Sequence, residues 1–135
     1  MAYRFRRKPG VKYNNSKTVV DGITFDSRHE AQRYCELKLL ERGKVISNLE
    51  LQKKFILIPA QYAVEKRYGK NGKRLKDGKT LLERECSYIA DFVYTLNETG
   101  EKIVEDAKSP ITRTPEYKIK KKLMLWVHGK HIREV

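Results

Sequence analysis

Short apolar runs recur along the chain, and two longer stretches repeat their apolar residues at helical spacing. Thr18-Val19-Val20 and Ile23-Thr24-Phe25 flank Asp21-Gly22, a strong two-residue hairpin signal, so a small β-ribbon is expected first. A helix should follow from Ser27, with Glu30 three residues on in capping-box position, through Leu37, Leu39 and Leu40 to Gly43. Val45-Ile46, Leu49-Glu50-Leu51-Gln52 and Phe55-Ile56-Leu57-Ile58 predict a turn and then a strand stopped by Pro59, and Gln61 to Tyr68 predicts another. Gln52 reads as an ordinary polar residue on an exposed strand face.

The densest β pattern comes next. Tyr88 to Tyr94 and Ile103 to Lys108 are rich in β-branched and aromatic residues, and Asn97-Glu98-Thr99-Gly100 joins them. A four-residue loop, or a two-residue tip with Asn97 facing Gly100, gives the same register and sets Asp91 opposite Asp106. Lys108 is then diagonal to Asp91 on a face otherwise holding Val93 and Val104. Ser109-Pro110 stops the strand, and Thr114-Pro115 starts a second helix as N-cap and first-turn proline. Ile119, Leu123, Trp126 and Val127 recur at helical spacing and are expected in the core. Gly129 should end that helix, and His131 to Val135 reads as a short strand at the sheet edge. The order of elements predicts an α+β fold, a sheet flanked by helices.

Charge changes the picture more than composition does. Thirty Lys and Arg against seventeen Asp and Glu give a net charge of +13, which favours a polyanionic partner. With 135 residues the chain fits one domain, residues 18–135, after a flexible basic arm at residues 1–17. No apolar run approaches a bilayer span and no signal-peptide core is visible, so a soluble, cytoplasmic protein with no membrane partner is expected. Cys35 and Cys86 are far apart and read as buried thiols in a reducing compartment. Gly129 separates His128 from His131, which argues against zinc.

Two carboxylates facing each other across a strand pair repel, and they want a cation. Asp91, Asp106 and Lys108 therefore form either a small ion cluster or a metal site with a catalytic lysine. Glu30 has two readings, as the capping-box glutamate or as a third carboxylate.

Asp91 followed by Asp106-Ala107-Lys108 resembles the PD-(D/E)XK nuclease superfamily, with Ala90 where the family name has proline. Phe25-Asp26-Ser27-Arg28-His29-Glu30, Leu49-Glu50-Leu51-Gln52 and Tyr88-Ile89-Ala90-Asp91-Phe92 look like a phage-associated branch of it, catalogued as a domain of unknown function. The resemblance implies a restriction-endonuclease-like αβββαβ core with a mixed sheet. It also implies metal-dependent hydrolysis of DNA, by an endonuclease acting on phage or branched DNA in the manner of a Holliday-junction resolvase. Mg²⁺ or Mn²⁺ would be held by Asp91, Asp106, Glu30 and the Ala107 carbonyl. Lys108 would position or deprotonate the attacking water or stabilise charge, and a charged, positioning lysine is favoured between two carboxylates.

On that reading the basic segments become DNA contacts. They are Arg4, Arg6, Arg7 and Lys8 in the arm; Lys70, Lys73, Arg74 and Lys76 in a glycine-rich loop from Lys66 to Lys79; and Tyr117, Lys118 and Lys121 on the second helix. A homodimer would bring two sites to two strands. The competing expectation is a non-catalytic basic nucleic-acid-binding module whose Asp91, Asp106 and Lys108 form a structural cluster. A structural protein of a nucleoprotein particle is a third.

Overall fold

The computed structural model describes residues 16–107 and 113–135, so Arg4, Arg6, Arg7, Lys8 and Lys108 lie outside the described residues. Among the described residues the order is β1 (Thr18–Val20), β2 (Ile23–Phe25), α1 (Arg28–Arg42), β3 (Ile46–Ile58), β4 (Gln61–Glu65), β5 (Gly78–Glu83), β6 (Cys86–Leu96), β7 (Lys102–Asp106), α2 (Pro115–His128) and β8 (Arg133–Glu134). The main sheet has the order β3-β6-β7-β8 and is mixed, because only β7 and β8 run parallel. This is the expected α+β class.

Local chemistry explains the elements. The β1–β2 turn takes positive φ at Asp21 and Gly22, the geometry that matches strand twist. Ser27 caps α1 by accepting the Glu30 backbone N–H at 3.1 Å, and Thr114 caps α2 by accepting that of Tyr117 at 3.1 Å. Gly129 ends α2 in the left-handed conformation, φ +65°.

Two apolar clusters lie on opposite faces of the sheet. Phe92, Tyr94 and Ile103 pack with Tyr34 and Leu37 of α1, while their strand neighbours Val93 and Val104 pack with Tyr117 and Met124 of α2. The alternation then inverts. Leu51 and Phe92 belong to the α1 cluster, yet Phe55, Tyr88 and Ala90, at positions of the same parity, belong to the α2 cluster. Gln52 lies at this switch on β3 with φ +51°, and Asp91 lies at it on β6. A non-glycine residue in that region costs on the order of 1–3 kcal/mol and persists only where its surroundings fix it.

Two expectations need correction. The exposed apolar residues of α2 include Ile119, Trp126 and Val127; the helix buries Tyr117 and Met124 instead, with Leu123 partly buried. Docking selects that stripe because its ends meet fixed partners: Tyr117 lies against the strand carrying Asp106, and His128 Nε2 is 2.8 Å from the Ile56 carbonyl. Cys35 is exposed and Cys86 half-buried. The strand expected from Gln61 forms as β4 and, among the described residues, pairs with β5 in a separate two-stranded ribbon.

Candidate active site

The register of the β6–β7 hairpin decides what the site can be. Phe92 pairs with Glu105, Val93 with Val104 and Tyr94 with Ile103, and the Leu96 N–H donates to the Glu101 carbonyl at 2.9 Å around the Asn97–Gly100 loop. The ladder has the expected register and ends at the Phe92–Glu105 pair; just beyond it Asp91 and Asp106 lie close enough for each carboxylate to act on the other. The same row continues across the sheet. Gln52 falls opposite Asp91, between the pairs Leu51–Phe92 and Lys53–Ala90, and Asp106 pairs with Glu134 of β8.

Each carboxylate of the row is held. Asp91 Oδ2 accepts the Ala107 N–H at 2.9 Å, and Asp91 Oδ1 accepts Gln52 Nε2 at 3.3 Å. Tyr88 donates its hydroxyl to Asp106 Oδ2 at 2.5 Å. Burial raises the Tyr88 hydroxyl pKa first, and the Asp106 charge raises it further, so Tyr88 remains a donor. Glu134 takes Lys121 at 2.5 Å and Arg113 at 2.6 Å.

Glu30 is turned inward from the first turn of α1 and is buried. Its Oε1 accepts Gln52 Nε2 at 3.1 Å. Only half of the expected capping box forms, since Ser27 caps the Glu30 amide while the Glu30 carboxylate faces the row. Gln52 is exposed, as expected, yet it also has partners in the row. Its amide donates to Glu30 and to Asp91 together, and its strained backbone delivers it there.

The electrostatics follow from crowding. Burial pushes the Asp91 carboxyl up to about 7, helped by the charges of Asp106 and Glu30 and opposed by the Ala107 N–H. Burial likewise raises Glu30, with Asp26 and Asp106 adding to it. Burial and the neighbouring carboxylates together favour the protonated form of Asp91 and of Glu30. Behind them Glu105, fully buried on the other face of β7, receives Arg33 of α1 at 2.6 Å. Arg33 lies one helical turn from Glu30, so this ion pair sets how α1 lies over β7.

A cleft of about 340 Å³ opens on the row, lined by Tyr88, Asp91, Asp106, Thr114, Tyr117 and Lys120 among others. Lys120 brings a cation to it and is bonded to Glu116 at 3.0 Å. Asp91 and Asp106 offer hard oxygen donors of the kind Mg²⁺ takes, and Mg²⁺ usually needs only one or two carboxylates beside substrate phosphate and water. Among the described residues no group of three or more His, Cys, Asp or Glu side chains is arranged as a preformed metal cage. The Gln52 amide is the physical reason that Glu30 stands apart, because it occupies the space between Glu30 and Asp91.

The other candidates scatter. Lys70, Lys73, Arg74 and Lys76 are exposed on the loop joining β4 to β5, where Arg74 reaches Asp77 at 3.6 Å. Lys118 is exposed, Lys121 pairs with Glu134, and Tyr117 is buried beside Asp106 and Glu134. Gln52, Tyr88 and Lys120 were missed as site residues. Tyr88 and Asp91 are three apart, which strict alternation places on opposite faces, so only the inversion at Asp91 brings Tyr88 to Asp106.

No curated protein and no solved structure matches the chain. The family described as a protein of unknown function (DUF1064) matches residues 10–133, and the chain belongs to that family.

Proposed function

We propose that the protein is a metal-dependent nuclease of the PD-(D/E)XK type, an endonuclease hydrolysing DNA phosphodiester bonds in phage or branched DNA. The carrying observation is the Asp91–Asp106 row, with burial pushing Asp91 up to about 7 at the edge of an open cleft in a chain of charge +13. Asp91 and Asp106 would hold Mg²⁺ or Mn²⁺, with Glu30 and the Ala107 carbonyl as further donors. When bound, such an ion lowers the pKa of a water and neutralises charge growing on the phosphate. Tyr88 fixes the Asp106 carboxylate by its hydrogen bond, and the Ala107 N–H fixes Asp91. Gln52 keeps Glu30 and Asp91 at a set separation. Lys108 would orient the attacking water, and Lys120 adds positive charge at the cleft. Lys70, Lys73, Arg74 and Lys76 would grip the DNA backbone from the β4–β5 ribbon. Action in the cytoplasm of a phage-bearing host, and a dimer acting on two strands, belong to the same reading.

The test is incubation of plasmid, single-stranded and four-way-junction DNA with Mg²⁺, Mn²⁺ or EDTA, beside Asp106→Ala and Lys108→Ala. Metal-dependent cleavage lost in both variants supports the reading; cleavage that persists in Asp106→Ala removes this site from it. The second reading, a non-catalytic basic module, is favoured by the Gln52 amide already bridging Glu30 and Asp91. Binding with no cleavage in either ion would select it.

A further inference from the structure

The outer side of α2 carries a feature that the nuclease reading leaves unused. Trp126 is 86 % exposed and Ile119 58 % exposed. At roughly 100° per residue, Trp126 points directly away from the stripe that Tyr117, Met124 and His128 turn to the sheet. Lys122 lies one turn before it, and Lys118 lies two turns before. Among the described residues neither lysine makes an ion pair, whereas Lys120 and Lys121 do.

Running on from this face, a cavity of about 430 Å³ opens along α2, lined by Arg113, Lys118, Lys121 and Lys122 with a single carboxylate, that of Glu134. Glu134 answers Arg113 and Lys121, which leaves the charges of Lys118 and Lys122 in excess on the side nearer Trp126.

We propose that this surface binds a single-stranded polynucleotide, its phosphates in the cationic cavity and an unpaired base stacked on Trp126. Indole on a basic surface is what a base in an unwound strand recognises, because stacking is worth about 1–3 kcal/mol per base and needs no sequence. A second copy of this chain fits worse. A two-fold contact over this face would crowd Lys118 and Lys122 of both copies together, and one exposed indole with one isoleucine falls far short of the roughly 800 Å² per partner of a standard interface. Duplex DNA would offer no unpaired base to the indole. Binding here needs neither metal nor cleavage, so it stands apart from the catalytic reading.

Trp126 is the single tryptophan of the chain, so its emission reports the site directly. The full-length protein is titrated in EDTA with a mixed-sequence single strand of about sixteen nucleotides and with the matching duplex, each also labelled for anisotropy. The expected result is quenching of Trp126 by the single strand and little by the duplex. Trp126→Ala should weaken single-strand binding about 5- to 100-fold, and Trp126→Phe should recover most of it. Both variants should melt near wild type, the indole being exposed. Single-strand affinity unchanged in Trp126→Ala would overturn the proposal, as would equal quenching by duplex. An emission shift that tracks protein concentration without DNA would also overturn it, in favour of a second copy.

Discussion

The β6–β7 and β4–β5 hairpins are both antiparallel and both mix β-branched, aromatic and charged residues, yet their environments are opposite. In β6–β7, Phe92, Val93, Tyr94, Ile103, Val104, Glu105 and Asp106 are all buried, because α1 covers one face and α2 the other. In β4–β5, Tyr62, Val64, Leu81 and Leu82 are exposed, and no third strand or helix among the described residues joins the sheet. Burial by neighbouring layers, rather than strand sequence, is therefore what turns a charged residue into a site. Carboxylates caught between helices repel one another and shift, whereas lysines on a two-stranded ribbon stay solvated and act through their number.

This contrast is most open to test at Glu105. Glu105→Gln should destabilise the protein by about 3 kcal/mol, since it leaves Arg33 facing a buried partner that has lost its charge. A urea midpoint near wild type would show that the ion pair does not fasten α1 to β7. Changing Lys73 to Ala on the ribbon should move stability in the same assay by less than about 0.5 kcal/mol.

Asp91 gives the next largest effect. An ordinary aspartate loses its proton near pH 4, whereas Asp91 in the folded chain keeps it up to about 7. The folded state then binds more protons than the unfolded one between those values, so stability should fall as pH rises through that window in EDTA. Asp91→Asn should flatten this dependence and raise the melting temperature at pH 8, while reducing cleavage at least about 100-fold on the proposed function. If Asp91→Asn melts lower than wild type at pH 8, burial and the neighbouring carboxylates are not what hold the proton on Asp91.

The ribbon should respond through salt. Replacing Lys70, Lys73, Arg74 and Lys76 with Ala should leave the melting temperature nearly unchanged and reduce the slope of log affinity against log salt by up to about 3.6, at about 0.9 for each phosphate no longer neutralised. An unchanged slope would remove the ribbon from the DNA surface. The last test is Glu30→Gln. Ser27 caps the helix through the Glu30 backbone amide, which the substitution keeps, so the change should stay within about 1 kcal/mol while activity falls. Unchanged activity would reduce Glu30 to a helix-start residue.

Much of the molecule was legible along the chain, and the legible parts share one cause. Asp21-Gly22, Ser27, Thr114-Pro115 and Gly129 specify turns and caps through their own backbone chemistry, so these features appeared where expected. The β6–β7 register that brings Asp91 near Asp106 was likewise local, because the loop from Asn97 to Gly100 sets it over a few residues. What needed a partner distant in sequence was not legible. Gln52 reaches Glu30 and Asp91 across 22 and 39 positions, and Tyr88 meets Asp106 only because the burial pattern inverts at Asp91.

The same division holds for α2, whose sequence offers apolar residues on more than one side. Periodicity alone selected the stripe through Ile119, Trp126 and Val127, since local pattern carries no information about which side meets the sheet. Packing selected Tyr117 and Met124, because that rotation seats Tyr117 beside the carboxylate row and His128 against Ile56, and it sends Trp126 into solvent. Interactions within a few residues were enough to set the helix, its ends and its charge. Which of its faces is core and which is free to bind depended on the packed fold, because burial is a property of what else arrives at the surface.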